Sequence, residues 1–433
     1  MKTWWSSARL YLDSRILALF VLGFSSGLPF LLVYSTLSLW LRREGVTLTE
    51  IGWFSLAGIA YGFKFAWAPL VDHLKIPILG AVLGQRRSWL LTSQIAVAGT
   101  IVALGATDPG SNLAGTAIWA VALAFASATQ DIVADAFRIE MLDAEQQGGG
   151  AANFVNGYRI GTLAAGAGAL IIADTHGWFA AYSAMAALMV LGMAVTLALS
   201  EPDRLSRELD TQTNFNQRFR EAVVEPFRDF TSREHWLVIL AFVTVYKYGD
   251  ALLGAMANPF YVDLGFSGTE IAVITKGWGL AMSLVGALLG GVLSFRYGIL
   301  KALFITGIGQ LTGNLAFAAL AATGKSLPML TLAIAVENLT GAMATAAFVA
   351  YLSGLCSLQF TATQYALLTS LTAQARTVFA AGGGALADHL GWTMFFLATI
   401  AAAVPGLVLL VWLIRRQAQV SSQVPLATSD GPD

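Results

Sequence analysis

Long apolar stretches separated by short polar ones run through the whole chain. About 20 mainly apolar residues are enough for a helix to cross the hydrocarbon core of a bilayer. Twelve stretches are of about this length, and each predicts a transmembrane helix: 16–40, 50–71, 88–106, 113–136, 152–173, 177–199, 236–259, 269–293, 300–322, 327–351, 364–386 and 392–414. The pattern therefore predicts an all-α integral membrane protein with twelve spans.

The longest polar interruption follows the sixth span and divides the chain into two halves. We predict a six-helix bundle over 1–200, a linker over 201–234, a second six-helix bundle over 235–416 and a polar tail over 417–433. Acidic residues alternate with six arginines in the linker, which is typical of a solvated segment rather than a binding domain.

Two short repeats occupy equivalent places in the two halves. Thr49-Glu50-Ile51 precedes the second span, and Thr269-Glu270-Ile271 precedes the eighth. Ala173-Asp-Thr-His-Gly-Trp178 lies between spans five and six, and Ala387-Asp-His-Leu-Gly-Trp392 lies between spans eleven and twelve. Two pseudo-symmetric six-helix halves facing each other across a cavity are typical of the major facilitator superfamily. We therefore predict this fold.

Composition agrees with a membrane protein and excludes several other classes. Only 12% of the residues are charged, against about 25% in soluble domains. The chain has no basic patch with interleaved aromatic residues, so we expect no nucleic-acid partner. None of the four histidines has metal-ligand spacing with another, and no nucleophile constellation or phosphate-binding loop occurs. We expect neither an enzyme nor a cofactor.

Basic residues are distributed unevenly between the two sides of the predicted bundle. Lys and Arg are enriched in the cytoplasmic loops of membrane proteins, so their count predicts orientation. Seventeen lie on the side of the N-terminus, including Arg138, and only Arg42, Arg43 and Lys325 lie on the other side. Both termini and the linker are therefore predicted to be cytoplasmic.

Two acidic residues lie deep in the fourth span. Asp131 and Asp135 are four residues apart and share one face of a helix. An acid inside a span marks an ion or substrate pathway by default. Burial and mutual repulsion favour the protonated carboxyl group, which suits a site that takes up and releases protons. The alternatives are neutralisation by a basic residue on a neighbouring helix or, for Asp135, a position at the membrane interface.

Further polar and charged side chains lie inside spans presumed to face the cavity. One interpretation pairs them as salt bridges that fix helix packing. The other is a cavity for a large, polar, partly anionic solute coupled to a titrating carboxylate. The candidates for substrate binding are Gln130, Lys64, Tyr61, Tyr158, Arg159, Tyr246, Lys247, Lys276, Trp278, Glu337, Asn338 and Gln374.

The loop between spans two and three contains an acid and a pair of arginines. Asp72 follows the second span, and Arg86 and Arg87 precede the third. The loop resembles the signature loop of the major facilitator superfamily, which implies a gating latch. His73 in place of the usual basic neighbour, and the long spacer, depart from that pattern.

Nearly the whole chain resembles the AmpG-type muropeptide permeases of Gram-negative inner membranes. Several of the matching motifs carry charges inside spans, which makes the resemblance specific. They are Gly23-Phe-Ser-Ser-Gly-Leu-Pro29, Ile51-Gly-Trp-Phe-Ser-Leu56, Phe63-Lys-Phe-Ala-Trp-Ala-Pro-Leu-Val-Asp72, Gln130-Asp-Ile-Val-Ala-Asp135, Gly157-Tyr-Arg-Ile-Gly161, Tyr246-Lys-Tyr-Gly-Asp250, Glu337-Asn338, Phe348-Val-Ala350 and Ala362-Thr-Gln-Tyr-Ala-Leu-Leu368.

The resemblance implies import of anhydro-muropeptides from periplasm to cytoplasm, driven by protons. These are disaccharides of N-acetylglucosamine and 1,6-anhydro-N-acetylmuramic acid, with or without a stem peptide. It further implies roles in peptidoglycan recycling and β-lactamase induction. We expect a monomer in the lipid bilayer, with Asp131 as the first candidate for proton coupling and Asp135 and Asp250 as the next.

Two alternatives to muropeptide import stay open. One is a proton symporter of the same fold for another sugar or for an acyl-carrier metabolite. The other is a sensor that binds wall fragments without moving them. Titratable residues in both halves favour transport over sensing.

Overall fold

A computed structural model describes residues 9–202 and 224–423 of the chain. Most of the predicted linker (203–223) and the last ten residues of the predicted tail lie outside the described residues. Within the described ranges the regular structure is helical.

The N-terminal half contains spans α1 to α6. The first, α1, covers Ser14–Arg43 as two helices, Ser14–Val33 and Ser35–Arg43, that meet at Tyr34. Two spans are single long helices: α3 covers Gln85–Gly105 and α4 covers Leu113–Met141. The second span, α2, consists of five short pieces: Leu48–Phe54, Ser55–Gly58, Ile59–Phe63, Lys64–Ala66 and Ala68–His73. The fifth, α5, covers Gln147–Leu163, passes a π-helical turn at Ala164–Gly168 and continues into the helix Ala169–Ala198. That helix breaks at Gly177, after which the chain is α6.

The C-terminal half contains spans α7 to α12 and is preceded by a short helix, Glu225–Thr231. Here α7 covers Trp236–Val245 and Tyr248–Asp263, and α8 covers Gly268–Tyr297 with a π-helical turn at Val273–Trp278. Next, α9 covers Ile299–Thr323, α10 covers Leu327–Gly354 and α11 begins as Thr361–Ala381. The helix Gly383–Gln423 breaks at Gly391, so its first part completes α11 and the rest is α12.

Nine described helices are each long and apolar enough to cross a membrane. One of them, Gln147–Ala198, holds two spans because it breaks at Gly177. The fragmented α2 and the more polar α11 complete the twelve that the sequence predicted.

Two glycines explain why the second repeat recurs at the same place in both halves. Gly177 has φ +83° and Gly391 has φ +70°, a left-handed conformation that side chains other than glycine rarely adopt. Each glycine turns the chain back into the membrane between consecutive spans. The tryptophan that follows contacts the first span of its own half. Trp178 stacks on Trp40 of α1 with ring centroids 5.3 Å apart, and the Trp392 indole donates to Asp263 of α7 at 3.0 Å.

Small residues bring α1 and α5 into backbone contact. A Cβ atom added to Gly157 would lie 1.9 Å from the Phe20 carbonyl oxygen, and one added to Gly161 would lie 2.2 Å from that of Phe24. In the other half, Gly286 of α8 is equally close to the Leu339 carbonyl of α10. Close approach of this kind stabilises helix pairs in membranes, where the hydrophobic effect does not drive association.

The two halves share an apolar core at one end of the bundle. We call the end that holds residues 9–13 and 224–235 the linker end, and the opposite end the far end. At the linker end, Ala362 and Ala366 of α11 belong to the same core as Leu10, Ile16 and Val71. At the far end, the described core residues form one cluster within the N-terminal half and another within the C-terminal half. The halves therefore share apolar packing at the linker end, while each described core at the far end belongs to a single half.

We expect Gly157→Ala to destabilise the protein because the new methyl group has no space against the α1 backbone. Overpacking of this kind costs about 1–3 kcal/mol. Gly99→Ala is the matched control, since nothing lies within 4 Å of a Cβ atom at Gly99. Thermal unfolding in detergent checks both variants. Equal unfolding midpoints for Gly157→Ala and the wild type would contradict the close α1–α5 packing.

Candidate functional site

Three charged side chains of α2 and α4 lie together in the N-terminal half. Lys64 is buried, and its Nζ atom lies 4.0 Å from Oδ2 of Asp135. Asp131, one helical turn away from Asp135, interacts electrostatically with both Lys64 and Asp135. Lys64 therefore interacts with two carboxylates. A change in the charge of one acid alters the attraction between Lys64 and the other acid.

Gln130 links α4 to the glycine- and serine-rich stretch of α1. Its side-chain amide donates to Ser25 Oγ at 3.2 Å and to Ser26 Oγ at 3.4 Å. Gln130 is buried, and these contacts hold α4 beside α1.

Two predicted tyrosines belong to a larger aromatic cluster, formed by Phe30, Tyr34, Tyr61 and Tyr158. Phe30 lies at its centre, with ring centroids 4.9 Å from Tyr34, 5.9 Å from Tyr61 and 6.2 Å from Tyr158. The α1 helix is interrupted at Tyr34, whose hydroxyl group reaches Gly58 in the broken part of α2. Tyr61 and Tyr158 both lie within the electrostatic reach of Asp131. The aromatic cluster therefore borders the charged group of α2 and α4.

A second charged group lies in the C-terminal half. Lys247 donates to Asp250 Oδ2 at 2.8 Å, and Gln310 of α9 donates to the same oxygen. Glu337 of α10 accepts a hydrogen bond from Asn338 at 2.7 Å. Its field reaches Lys247 and Asp250, so these residues form one group. The sequence predicted four of them and missed Gln310.

Arg159 of α5 lies in the N-terminal half and is within electrostatic reach of the charged group of the C-terminal half. It interacts across the halves with Glu337, the acid of α10. Its Nη1 atom is buried and has no hydrogen-bond partner within the described part of the chain. Arg159 thus presents an unused donor between the halves.

Two predicted residues lie apart from these groups, and two border them. Lys276 and Trp278 are exposed side chains on the π-helical turn of α8. Tyr246 is in the core of the C-terminal half within electrostatic reach of Asp250; its hydroxyl donates to the Leu303 carbonyl at 2.8 Å and its ring stacks on Phe348. Gln374 of α11 lies across the halves against Gly62 of α2, the glycine between Tyr61 and Lys64.

The signature-loop residues form a buried ionic network at the linker end. The Arg86 side chain is fully buried and lies between two acids. Its Nη2 atom is 2.7 Å from Asp72 Oδ1 and 2.6 Å from Glu140 Oε1. Glu140, at the end of α4, was not predicted.

Asp72 also joins the two halves. Its carboxylate accepts hydrogen bonds from the backbone N–H groups of Ala362 (3.2 Å) and Thr363 (2.8 Å), and from the Thr363 hydroxyl (2.7 Å). These groups lie in the first turn of α11, where the helix dipole favours a negative charge. Arg87 lies elsewhere: it donates to the Thr196 and Leu197 carbonyls of α6 at 3.0 and 2.6 Å.

The structure corrects the prediction for Arg138. The sequence count placed this residue outside the spans, but it lies in α4 and is fully buried between the halves. Its position near the end of an apolar stretch gave no sign of its partners, which are Asp135 of its own helix and Ser353 of α10.

Comparison with known proteins places this geometry in a family. The sequence profile of the Major Facilitator Superfamily matches residues 19–323. The anhydromuropeptide permease of Escherichia coli K12 is 42% identical over 405 residues, covering 93% of this chain and 80% of that protein. A putative transporter of Rickettsia conorii, AmpG 4, is 37% identical over 407 residues, covering 94% of this chain and 98% of its own.

Solved structures match at the level of the fold. The fucose:proton symporter of Escherichia coli superposes with a TM-score of 0.69 at 12% identity, covering 92% of this chain and 97% of that one. A proton:xylose symporter superposes with a TM-score of 0.65 at 12% identity, covering 94% of each chain. The predicted fold, twelve transmembrane helices in two six-helix halves, is confirmed.

We expect Arg86→Gln to destabilise the protein, because it removes a buried cation from between Asp72 and Glu140. Removing one partner of a buried ion pair costs about 3–5 kcal/mol. Arg87→Gln is the matched control, since the described hydrogen bonds of the Arg87 side chain all go to backbone carbonyls. Thermal unfolding of purified protein compares the two. A loss for Arg86→Gln no larger than that for Arg87→Gln would refute the importance of the network.

Proposed function

The chain belongs to the Major Facilitator Superfamily and to its anhydromuropeptide permease family, and we propose that it imports anhydro-muropeptides by proton symport. As a member of this superfamily it is a multi-pass membrane transporter of a small molecule and not an enzyme. The observation that carries the proposal is 42% identity to the Escherichia coli permease across 93% of the chain.

The site suits the chemistry of this substrate. Its pyranose rings present apolar faces that pack on aromatic rings, and the aromatic cluster supplies four such rings. The carboxylate of its lactyl group, or those of the stem peptide where one is attached there, need cations, and the buried Arg159 Nη1 atom has no hydrogen-bond partner among the described residues. We assign the sugar part to the aromatic cluster and the carboxylates to Arg159 and the nearby lysines, Lys64 and Lys247.

Proton coupling is assigned to the acids that share basic partners. Asp131 has no fixed hydrogen bond among the described residues and competes with Asp135 for Lys64. When Asp131 is protonated, Lys64 interacts with one ionised acid instead of two. This alters the net charge that the group presents to the substrate. Asp250, bonded to Lys247 and Gln310, is the corresponding acid of the C-terminal half.

The direction of transport follows from the orientation of the bundle. Without Arg138, sixteen basic residues lie on the linker side against three on the far side, so we assign the linker end to the cytoplasm and the far end to the periplasm of a Gram-negative inner membrane. In this orientation the apolar core shared by the halves lies toward the cytoplasm, which supports a state that is closed on that side and accessible from the periplasm. Substrate enters at the far end and leaves when the linker end opens. By family resemblance, the imported fragments serve peptidoglycan recycling and β-lactamase induction.

The test is uptake of labelled anhydro-muropeptide into right-side-out vesicles, with and without an uncoupler. Accumulation that collapses with the uncoupler is the expected result. Binding without accumulation would instead show a sensor. Accumulation of a simple sugar in place of the muropeptide would show a symporter of the same fold with another substrate.

We expect Asp131→Asn to abolish accumulation driven by the proton gradient while leaving ligand binding measurable. The amide keeps the size of the side chain but cannot carry a proton. Asp388→Asn is the matched control, because Asp388 is exposed near the far end. Uptake and equilibrium binding are measured on the same preparations. Full proton-driven uptake by Asp131→Asn would remove Asp131 from the coupling mechanism.

A further inference from the structure

Arg138 lies where four helices of the two halves meet. Its guanidinium is fully buried between the rings of Phe154 (α5) and Tyr365 (α11), at 5.8 and 5.4 Å from their centroids. One arm reaches Asp135 Oδ1 on its own helix at 3.4 Å. The other arm donates to Ser353 Oγ in the opposite half at 3.0 Å. The same cation therefore contacts an acid of the candidate proton site and a hydroxyl across the interface.

Ser353 lies in the last turn of α10, just before the turn between α10 and α11, and the N-terminal half contacts the residues on both sides of that turn. Arg138 donates to Ser353 at one end of the turn, and Asp72 accepts from Ala362 and Thr363 at the other. Both contacts cross from the N-terminal to the C-terminal half at the linker end. The Asp72 contact is backed by Arg86, whereas the Arg138 contact depends on the charge of Asp135.

The charge of Asp135 decides whether Arg138 can remain buried. A cation without its counter-charge in a site of low dielectric is costly, by several kcal/mol for each ion. Asp135 has a second cation at 4.0 Å, Lys64, which also interacts with Asp131. Neutralising Asp131 leaves Lys64 more strongly attracted to Asp135 and so weakens the hold of Asp135 on Arg138. Neutralising Asp135 removes that hold altogether.

We propose that Arg138 is a positioning residue that couples the charge of Asp135 to closure of the linker end. It ties α4 to the α10–α11 turn while Asp135 is ionised, and it releases the turn when Asp135 is neutral. The proposal rests on the proposed function only in naming Asp135 as a group that changes charge.

Other titratable or charged groups face this pair from each neighbouring helix. They are Lys64 of α2, Asp131 of α4, Tyr158 of α5, Tyr365 of α11 and Cys356 of the α10–α11 turn. Lys64 attracts the Asp135 carboxylate, and an ionised Asp131 repels it. The tyrosines are neutral at physiological pH. Asp135 is thus the acid that contacts Arg138 directly, and the charge of Asp135 determines whether Arg138 holds the α10–α11 turn.

The chain contains its own reporter for this turn. Cys356 is the single cysteine of the sequence, it is half-buried in the α10–α11 turn, and its thiol lies 3.3 Å from the Leu352 carbonyl. Burial raises the pKa of this thiol, so its reaction with a maleimide is slow in the closed state. Release of the turn exposes Cys356 and accelerates the reaction.

The experiment measures the rate at which N-ethylmaleimide labels Cys356 in the full-length protein in proteoliposomes, without substrate. We expect Arg138→Gln and Asp135→Asn each to label at least about fivefold faster than the wild type, the lower range of measured couplings. Removing a cation near a thiol lowers its thiolate fraction, so charge alone would make Arg138→Gln slower, whereas charge alone would make Asp135→Asn faster. Faster labelling of Arg138→Gln is therefore the result that separates release of the turn from a charge effect. Arg415→Gln, a change at an exposed residue of α12, is the matched control and should label like the wild type.

A pH series separates coupling from a purely structural tie. The ratio of the Arg138→Gln rate to the wild-type rate should fall toward one as the pH is lowered, because protonation of Asp135 opens the wild type as well. A ratio that stays constant with pH would overturn the coupling. The coupling would also be overturned if Cys356 were labelled at the wild-type rate in Asp135→Asn but faster than the wild-type rate in Arg138→Gln.

Ser353→Ala provides a second route if Arg138→Gln does not fold. It removes the acceptor in the opposite half and leaves the Asp135–Arg138 pair in place, and it too should label faster. Wild-type labelling by folded Arg138→Gln or Ser353→Ala protein, as judged by gel filtration, would refute the tie. Because no substrate is used, these outcomes do not depend on whether the protein transports muropeptides.

Discussion

A fully buried arginine holds the linker end together. Arg86 bridges Asp72 and Glu140, and Asp72 also accepts hydrogen bonds from the first turn of α11. Burying three charges costs desolvation energy that only close geometry and further hydrogen bonds offset. The arrangement of the halves depends on this cluster because it joins α2, α3 and α4 to α11 at one point.

The polar contacts between the two halves depend on the same closed end. With the halves joined there, Arg159 faces Glu337 across the interface and Arg138 reaches Ser353. The polar residues of each half are otherwise satisfied mainly within that half, as Lys247 and Asp250 are. A transporter that alternates between two states needs this division, since contacts inside a half persist while contacts between halves change.

Hydropathy predicted the spans well, because bilayer thickness fixes their length and the hydrocarbon core excludes other backbone structures. It did not predict the interruptions. The five pieces of α2 and the π-helical turn at Val273–Trp278 lie inside apolar stretches that resemble continuous helix. Charges inside spans marked the candidate site, but their partners are remote in sequence: Arg86 and Glu140 are 54 residues apart, and Asp72 and Thr363 are 291 apart. Only the fold brings such pairs together, and Phe30, an ordinary apolar residue of α1, carried no signal at all.

The seal at one end also shapes the electric field. In the state that we propose, closed at the linker end, water that enters between the far ends carries the potential of that side toward the middle of the membrane, so the voltage falls mainly across the linker end. A unit charge crossing the full potential changes in energy by about 2.3 kcal/mol per 100 mV. Asp135 and Arg138 lie at the edge of this seal, where they experience a steeper gradient than a charge in the middle of a uniform slab. Membrane voltage therefore acts most strongly on the two side chains that stand between the candidate proton site and the closed end.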